Sequence, residues 1–459
     1  MENAHTNKLG TAPIGRLLTG MSLPMMASML ISALYNIVDS MFVAKFSQDS
    51  LTALSLAFPF QMVLIGVSVG TGIGASSLMA RRLGEKRIED ADNVAMHGVF
   101  LAILGGIVFL LAAIFLTRPA LGLFKASGPV YSDGVTYLTI CLAFGIFPSL
   151  EIMCEKILQG TGHSLQSMII QILGAVINIV LDPIMIFGYF GCPALGVAGA
   201  AWATIIGQGV SMVVGIIFVL CSPVIKLRLR LFKPRKAIFR DIYGVGLPSI
   251  IMQCISSVTT FGMNKVLIGF SETAVTVLGL YFKLQSFVFM PVFGLNSGAM
   301  PIMAYNYGAR NKGRIVKTLK LGCILALLIM TVGMILFQTI PSALLSIFDP
   351  SPDLVSLGTK AFRTISLCFP FAALSIMCGT TFQSVGKGIY SLIVTVSRQL
   401  LIILPAANIL AAVTHNVYAV WYAYPIAELI SCAVCMLLLS ATFKKYLNKL
   451  DEPLPPAEQ

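Results

Sequence analysis

Gly70-Thr-Gly-Ile-Gly-Ala-Ser-Ser-Leu-Met-Ala-Arg-Arg-Leu-Gly84 and Gly294-Leu-Asn-Ser-Gly-Ala-Met-Pro-Ile-Met-Ala-Tyr-Asn-Tyr-Gly308 are one pattern written twice, 224 residues apart. Glycine, alanine and methionine recur at the same places in both. The register runs outward from there. Residues 20–84 align with 244–308 without a gap, with 18 identities in 65 positions, among them Gly20/Gly244, Leu23/Leu247, Pro24/Pro248, Phe58/Phe282 and Gln61/Gln285. It returns at Met153, Cys154, Gln159 and Gly162 against Met377, Cys378, Gln383 and Gly386. Shared apolar bias repeats leucines by chance. It does not hold Gly, Pro and Gln in one register over this distance. The chain is therefore an internal repeat of two related halves.

The composition says what solvent these halves face. The chain has 459 residues, 57% hydrophobic and only 11% charged, where an average soluble domain carries about 25% charged residues. So few charges do not cover a water-facing surface, whereas lipid solvates apolar side chains. Apolar runs near 17–45, 52–80, 94–117, 134–158, 165–190, 197–221, 242–269, 275–306, 316–340, 356–385, 388–413 and 417–443 predict twelve membrane spans. The fold class expected is an all-α polytopic membrane protein, twelve transmembrane helices in two six-helix lobes. Six spans per half is an even number, so both halves enter from the same side and form a parallel repeat about a pseudo-two-fold axis. The organisation expected is a tail over 1–16, an N-lobe over 17–221, a basic linker over 222–241, a C-lobe over 242–443 and a tail over 444–459.

The formal net charge of +12 reads as an orientation signal rather than a nucleic-acid footprint. About 22 of the 31 Lys and Arg fall in the tails and in the loops after spans 2, 4, 6, 8 and 10, against about five (Lys45, Arg118, Lys125, Lys360, Arg363) on the other side. Both termini are predicted cytoplasmic by the positive-inside rule. The first apolar run reads as a retained span rather than a leader. The ten Cys lie mostly in apolar stretches and read as packing residues.

Of the 19 acids, five fall inside apolar runs: Asp39, Glu151, Glu155, Asp182 and Glu428. An ionisable group in a span is costly, so each is a candidate functional residue. Asp39 lies near the far end of span 1 and Asp182 near the far end of span 5, each roughly 10 Å inside the same boundary at about 1.5 Å per residue. Asn178 precedes Asp182 by four residues and shares its helical face. Pro183 has no N–H, which frees the Ile179 carbonyl. Such a set could hold a proton, or sodium through oxygens; the alternative is a purely structural pair of acids. The C-terminal half lacks the set, with Met263 at the position of Asp39 and no acid around Ala407. Glu151 and Glu155, one turn apart on span 4 beside Lys156, read as a solvated or paired entrance cluster or as gating residues. Glu428 stands alone in its span beside Pro425 and reads either as structurally paired or as a substrate contact. Lys265, Lys283 and Arg398 are embedded bases expected to pair with carbonyls or acids, with Lys283, Arg398, Glu428 and Asn36 also candidates for substrate contact or gating. About ten prolines lie in the spans, where they kink helices and open gaps between them.

Enzyme chemistry is not written in this chain. There is no Walker loop, the four His are scattered, and no nucleophile sits beside a base in a span. Gly70–Gly74 lies inside span 2, where its glycines suit close helix packing. The expectation is a transporter, not an enzyme, with no cofactor and no ATPase subunit.

These residues resemble the multidrug and toxic compound extrusion (MATE) family, in particular its DinF-like and MepA-type bacterial branch. Leu23-Pro24, Tyr35-Asn-Ile-Val-Asp39, the loop at Gly84, Gln159-Gly-Thr-Gly162, Asn178 with Asp182-Pro183 and Gly199-Ala-Ala-Trp-Ala-Thr204 carry the likeness. The resemblance implies two lobes around a cleft, export of cationic amphipathic compounds in exchange for H⁺ or Na⁺, and action as a monomer in the bacterial plasma membrane. It implies a cation site at Asp39, Asn178, Asp182 and Thr204. Another branch of the family keeps acids on spans 7 and 10, which this chain lacks. The competing expectation is a flippase for a lipid or lipid-linked precursor, which would want several bases along its path.

Overall fold

The computed structural model describes residues 7–122, 128–227, 232–348 and 351–452, with Ser40 and Ala44 as backbone only. Lys125, Arg228 and Arg230, counted above in the charge asymmetry, lie outside the described residues, as do the outer parts of both tails. Among the described residues, regular structure is helical throughout. Ten helices are long and apolar enough to cross a membrane singly, and two bent pairs complete the twelve expected spans. The single spans include Ile14–Phe46 (span 1), Gln48–Gly84 (span 2), Ser164–Phe187 (span 5), Val197–Leu220 (span 6), Lys236–Ile268 (span 7) and Glu272–Gly308 (span 8). Span 4 is Gly128–Ala143 with Ile146–Gly160, bent by 48°, and span 10 is Pro352–Ser366 with Phe369–Ser384, bent by 46°. Pro148 and Pro370 fall in the first turn of the second member of each pair, where a missing N–H breaks no helical bond.

The repeat is visible in the backbone. Spans 2 and 8 both run 37 residues and both start behind a serine, Ser47 and Ser271, whose side chains accept backbone N–H bonds from the first turn. Spans 3 and 9, Ile88–Phe115 and Lys312–Thr339, both run 28 residues. The left-handed turn residues recur in register: Lys86 with Arg310, and Gly162 with Gly386.

The chain divides into two compact units, and the division falls inside helices. Among the described residues one unit comprises 7–8 and Ala27–Gln253, the other Leu9–Met26 and 254–452. The first half of span 1 thus belongs with the second unit, and the first half of span 7 with the first. The repeated glycines explain the fit. A Cβ on Gly70 would lie 2.8 Å from the Ile250 nitrogen, and one on Gly74 would strike the Ile242 carbonyl. In the second unit a Cβ on Gly294 would lie 2.6 Å from the Met26 Cα, and one on Gly298 would strike Ser22. Only glycine admits backbones this close.

A chain segment ahead of each crossing helix is strapped down within its unit. In the second unit Arg314 donates to the carbonyls of Leu9 (3.1 Å) and Ala12 (2.8 Å), and the Asn306 amide also donates to Leu9 (3.0 Å). In the first unit the backbone N–H of Lys226 donates to Asp92 (2.9 Å) and that of Arg235 to the His97 ring (2.9 Å).

Candidate functional site

Spans 5 and 6 make the closest helix pair of the first unit, and span 6 is built for it. Gly199, Ala203, Gly207, Ser211 and Gly215 fall every fourth residue and are all buried, so one face of the helix is a strip of small side chains. A Cβ on Gly207 would come within 2.8 Å of the Gly174 carbonyl and 3.6 Å of the Asn178 Cβ. This approach brings Thr204 against Asn178. The Asn178 amide donates to Thr204 Oγ1 (3.2 Å) and to Asp182 Oδ1 (3.3 Å), while the Thr204 hydroxyl donates to the Ala200 carbonyl (3.0 Å). Asp182, Asn178 and Thr204 are 0%, 3% and 8% exposed.

Asp39 of span 1 completes the group. Its carboxyl lies beside that of Asp182, within electrostatic reach. Two carboxylates offer only acceptors, so a proton or a cation between them is what such a pair calls for. Three buried oxygens converge on this set without a hydrogen-bond partner: Asp39 Oδ1, Asn178 Oδ1 and Asp182 Oδ2. Pro183 inside the helix leaves the Ile179 carbonyl without its usual donor. Such oxygens are the donors that a proton or a hard cation takes. The four residues carried over from the family resemblance therefore stand together.

Two further groups belong here that the sequence reading passed over. Tyr35, one turn before Asp39, lies within electrostatic reach of Asp39, Asp182 and Glu151. Tyr137, buried on span 4, lies within reach of Asp39 and Tyr35. The signal for Tyr35 was its four-residue spacing from Asp39. Tyr137 carried none, because it arrives from another span.

The other candidates fall elsewhere. Asn36 is exposed and its amide donates back to the Ser32 carbonyl at 2.8 Å. Glu151 and Glu155 are buried rather than solvated. Glu151 reaches Ser211 across the span 6 strip, and Lys156 donates to Gln159 (2.9 Å), whose amide donates to Ser167 (2.9 Å). Lys265 and Lys283 are exposed on the second unit. Glu428 is paired: its Oε1 accepts from Arg398 at 2.7 Å, so this base has the acid partner expected of it. Residues 30 apart met because spans 11 and 12 return side by side, a contact that helical spacing cannot reveal.

Comparison with known proteins follows the same two halves. A family model described as MatE matches residues 24–184 and again 248–409. The chain is 27% identical over 431 residues to the multidrug export protein MepA of Staphylococcus aureus, covering 93% of this chain and 94% of the relative. It is 28% identical over 421 residues to the MepA of Staphylococcus saprophyticus, covering 91% and 92%. Among solved structures, it matches the outward-facing conformation of a multidrug resistance MATE family transporter of the MOP superfamily, with a TM-score of 0.92, 26% identity and coverage of 99% of this chain and 100% of that one. A MOP superfamily transporter from Pyrococcus furiosus, whose description cites a binding pocket of reversed polarity, matches with a TM-score of 0.92 and 26% identity over 98% of this chain and 100% of that one.

Proposed function

The chain belongs to the MatE family, and on that premise we propose that it is a multidrug efflux antiporter whose coupling ion is taken at Asp39, Asn178, Asp182 and Thr204. It exports cationic amphipathic compounds by alternating access, in exchange for H⁺ or Na⁺. The observation that supports the site is a pair of neighbouring carboxyls, Asp39 and Asp182, with Asn178 beside them and three buried oxygens among them left without a hydrogen-bond partner.

With one proton between them, the two carboxyls carry one negative charge. A second proton, or Na⁺ held by Asp39 Oδ1, Asn178 Oδ1 and Asp182 Oδ2, brings the group to neutrality. A neutral group no longer attracts a cationic substrate, and the substrate leaves. Release of the ion on the cytoplasmic side restores the charge and with it the attraction. An ion running down a tenfold gradient carries about 1.4 kcal/mol, enough to sustain a tenfold gradient of exported compound. Thr204 acts by holding the Asn178 amide, whose Nδ2 also donates to Asp182.

The protein works as a monomer in a bacterial plasma membrane with both termini cytoplasmic. What supports this placement is the Lys and Arg asymmetry and the bacterial relatives. A lipid flippase would want free bases along its path. Arg398 is already held by Glu428, which weakens that reading.

Everted vesicles loaded with a fluorescent organic cation test the proposal. Asp39→Asn and Asp182→Asn are expected to reduce accumulation to the passive level; undiminished accumulation in both rejects the site. Substrate-driven pH and Na⁺ flux in proteoliposomes then assigns the ion.

A further inference from the structure

The second unit holds a buried polar cluster that the coupling scheme above leaves unused. Arg398 and Glu428 are paired at 2.7 Å, with side chains 21% and 10% exposed. Arg398 is the second residue of a π-helical stretch, Ser397–Ile403, set between the α-helical pieces Gly388–Val396 and Leu404–Thr414 of span 11. Such π insertions are rare and gather at functional positions. Pro405 follows directly and offers no N–H to close the preceding turn. The neighbouring residue is tied in another direction: Thr259 Oγ1 donates to Gln399 Oε1 at 3.1 Å, and Gln399 Nε2 to Ser256 Oγ at 3.4 Å. Adjacent side chains of the π stretch thus anchor it to span 12 and to span 7.

Glu428 uses only one of its oxygens in this pair. Its Oε2 is buried without a partner, and so are Ser375 Oγ, Trp421 Nε1, Tyr424 OH and Ser431 Oγ. All five residues are more than nine-tenths buried. Tyr424, Glu428 and Ser431 follow an i, i+4, i+7 spacing on the helix Ala423–Thr442 and share its face. Unpartnered buried polar atoms are costly, and each such group in a native protein asks for a reason.

A contact between spans 10 and 12 frames this cluster: Cys435 Sγ donates to the Ser375 carbonyl at 3.8 Å.

Among the titratable groups, Arg398, Tyr281 of span 8, Cys368 at the break of span 10, and Cys432 on its own helix lie within electrostatic reach of Glu428, and Tyr424 precedes it by one turn. On the first half of span 10, Lys360 sits over the Tyr418 ring at 4.2 Å and Arg363 donates to the Gln338 carbonyl at 3.1 Å. Arg398 is thus the cation that answers Glu428. A metal cation would meet its guanidinium, and the neighbouring Tyr281 is buried against the rings of Phe362 and Tyr424. A proton is the ligand that suits both conditions.

We propose that Glu428 and Arg398 form a second proton-binding site, in which a proton taken from water turns the Glu428 carboxylate into the neutral acid and frees Arg398 from its ion pair. The proton adds to Oε2, the orphaned oxygen. The charge-assisted hold on the π stretch is lost, and span 11 is released to adjust its winding ahead of Pro405. As a contribution to coupling this rests on the antiport reading above; as a protonation site it does not.

The full chain in sodium-free proteoliposomes, under a fixed one-unit pH gradient with the potential clamped at zero, tests it with ethidium as the transported cation. One proton fewer per cycle lowers steady accumulation about tenfold at one pH unit. Glu428→Gln is expected to show that loss, and pH-difference infrared spectra are expected to lose one carboxylic acid C=O band that Asp182→Asn retains. Arg398→Gln removes the partner that the proton releases, giving the same loss of accumulation; Arg398→Lys restores it. Should Glu428→Gln fail to fold, Arg398→Gln and Arg398→Lys are read in the same two assays. Wild-type accumulation with an unchanged infrared spectrum in Glu428→Gln, or in Arg398→Gln, overturns the proposal. Loss confined to Asp182→Asn leaves the first site standing and removes the second; loss confined to Glu428→Gln does the reverse.

Discussion

The two units share a backbone and differ in chemistry. Spans 2 and 8 have the same length, the same serine cap and the same paired glycines receiving the first half of a crossing helix. The polar interior does not follow. Where the first unit sets Asp39, Asn178 and Asp182, the second has Met263, Ile402 and Ala406; the second unit's own polar pair is Arg398 with Glu428. Helix contact geometry is held by glycines and caps that tolerate little change. A polar group inside needs only its own partners, so it moves from helix to helix once those partners move with it. The lesson is that a repeat conserves close approach before it conserves charge.

The largest expected effect lies in moving the acids. Asp39→Asn breaks up the carboxyl pair and is expected to drop accumulation to the passive level in the vesicle assay. Adding Met263→Asp, which places a carboxyl at the equivalent position of the second unit, is expected to restore nothing, because Ile402 and Ala406 supply no Asn or Asp to receive it. Rescue by Met263→Asp in the vesicle assay would break the distinction between the units.

Next come the glycines, where the units should behave alike. Gly74→Ala and Gly298→Ala each force an overpacked contact, worth ~1–3 kcal/mol. The first should be worse, since its obstacle is the Ile242 carbonyl, whereas Ser22 presents a movable hydroxyl as well as backbone. Thermal unfolding in detergent followed by size exclusion ranks them; an equal or reversed order would show that the two crossings are not packed alike.

The straps sharpen the comparison further. Arg314→Ala frees the Leu9 and Ala12 carbonyls and removes charged hydrogen bonds, a loss of about 2 kcal/mol. The first unit's strap rests on Asp92 and His97, so its thermal response to Asp92→Asn should be smaller and fade with added salt. The smallest effect is at the caps: Ser47→Ala and Ser271→Ala should each cost about 1 kcal/mol. A difference of more than twofold between them in melting experiments would argue that one span start is supported by other contacts.

Much of this was legible in the chain. The 224-residue register, the twelve spans and the shared depth of Asp39 and Asp182 follow from local spacing, because helical rise and apolar length are properties of short segments. The small-residue strip at Gly199, Ala203, Gly207, Ser211 and Gly215 was equally present in the sequence and went unread, although its four-residue period states which face of span 6 packs. Tyr137 beside Asp39, and Arg398 beside Glu428, were not legible at all. They are joined by helices whose rotation about their own axes is decided by packing along their whole length.

By itself, the sequence determined a doubled six-span helical chain and which few charges it takes into the apolar interior, since both depend on composition and on repeats along a line. Tertiary structure alone decided that span 1 begins in one unit and ends in the other, that the Asp39 carboxyl comes beside that of Asp182, and that Glu428 meets an arginine 30 residues away. The reason is that hydrogen bonds and ion pairs act over about 3 Å, and only the packed helices say which side chains come that close.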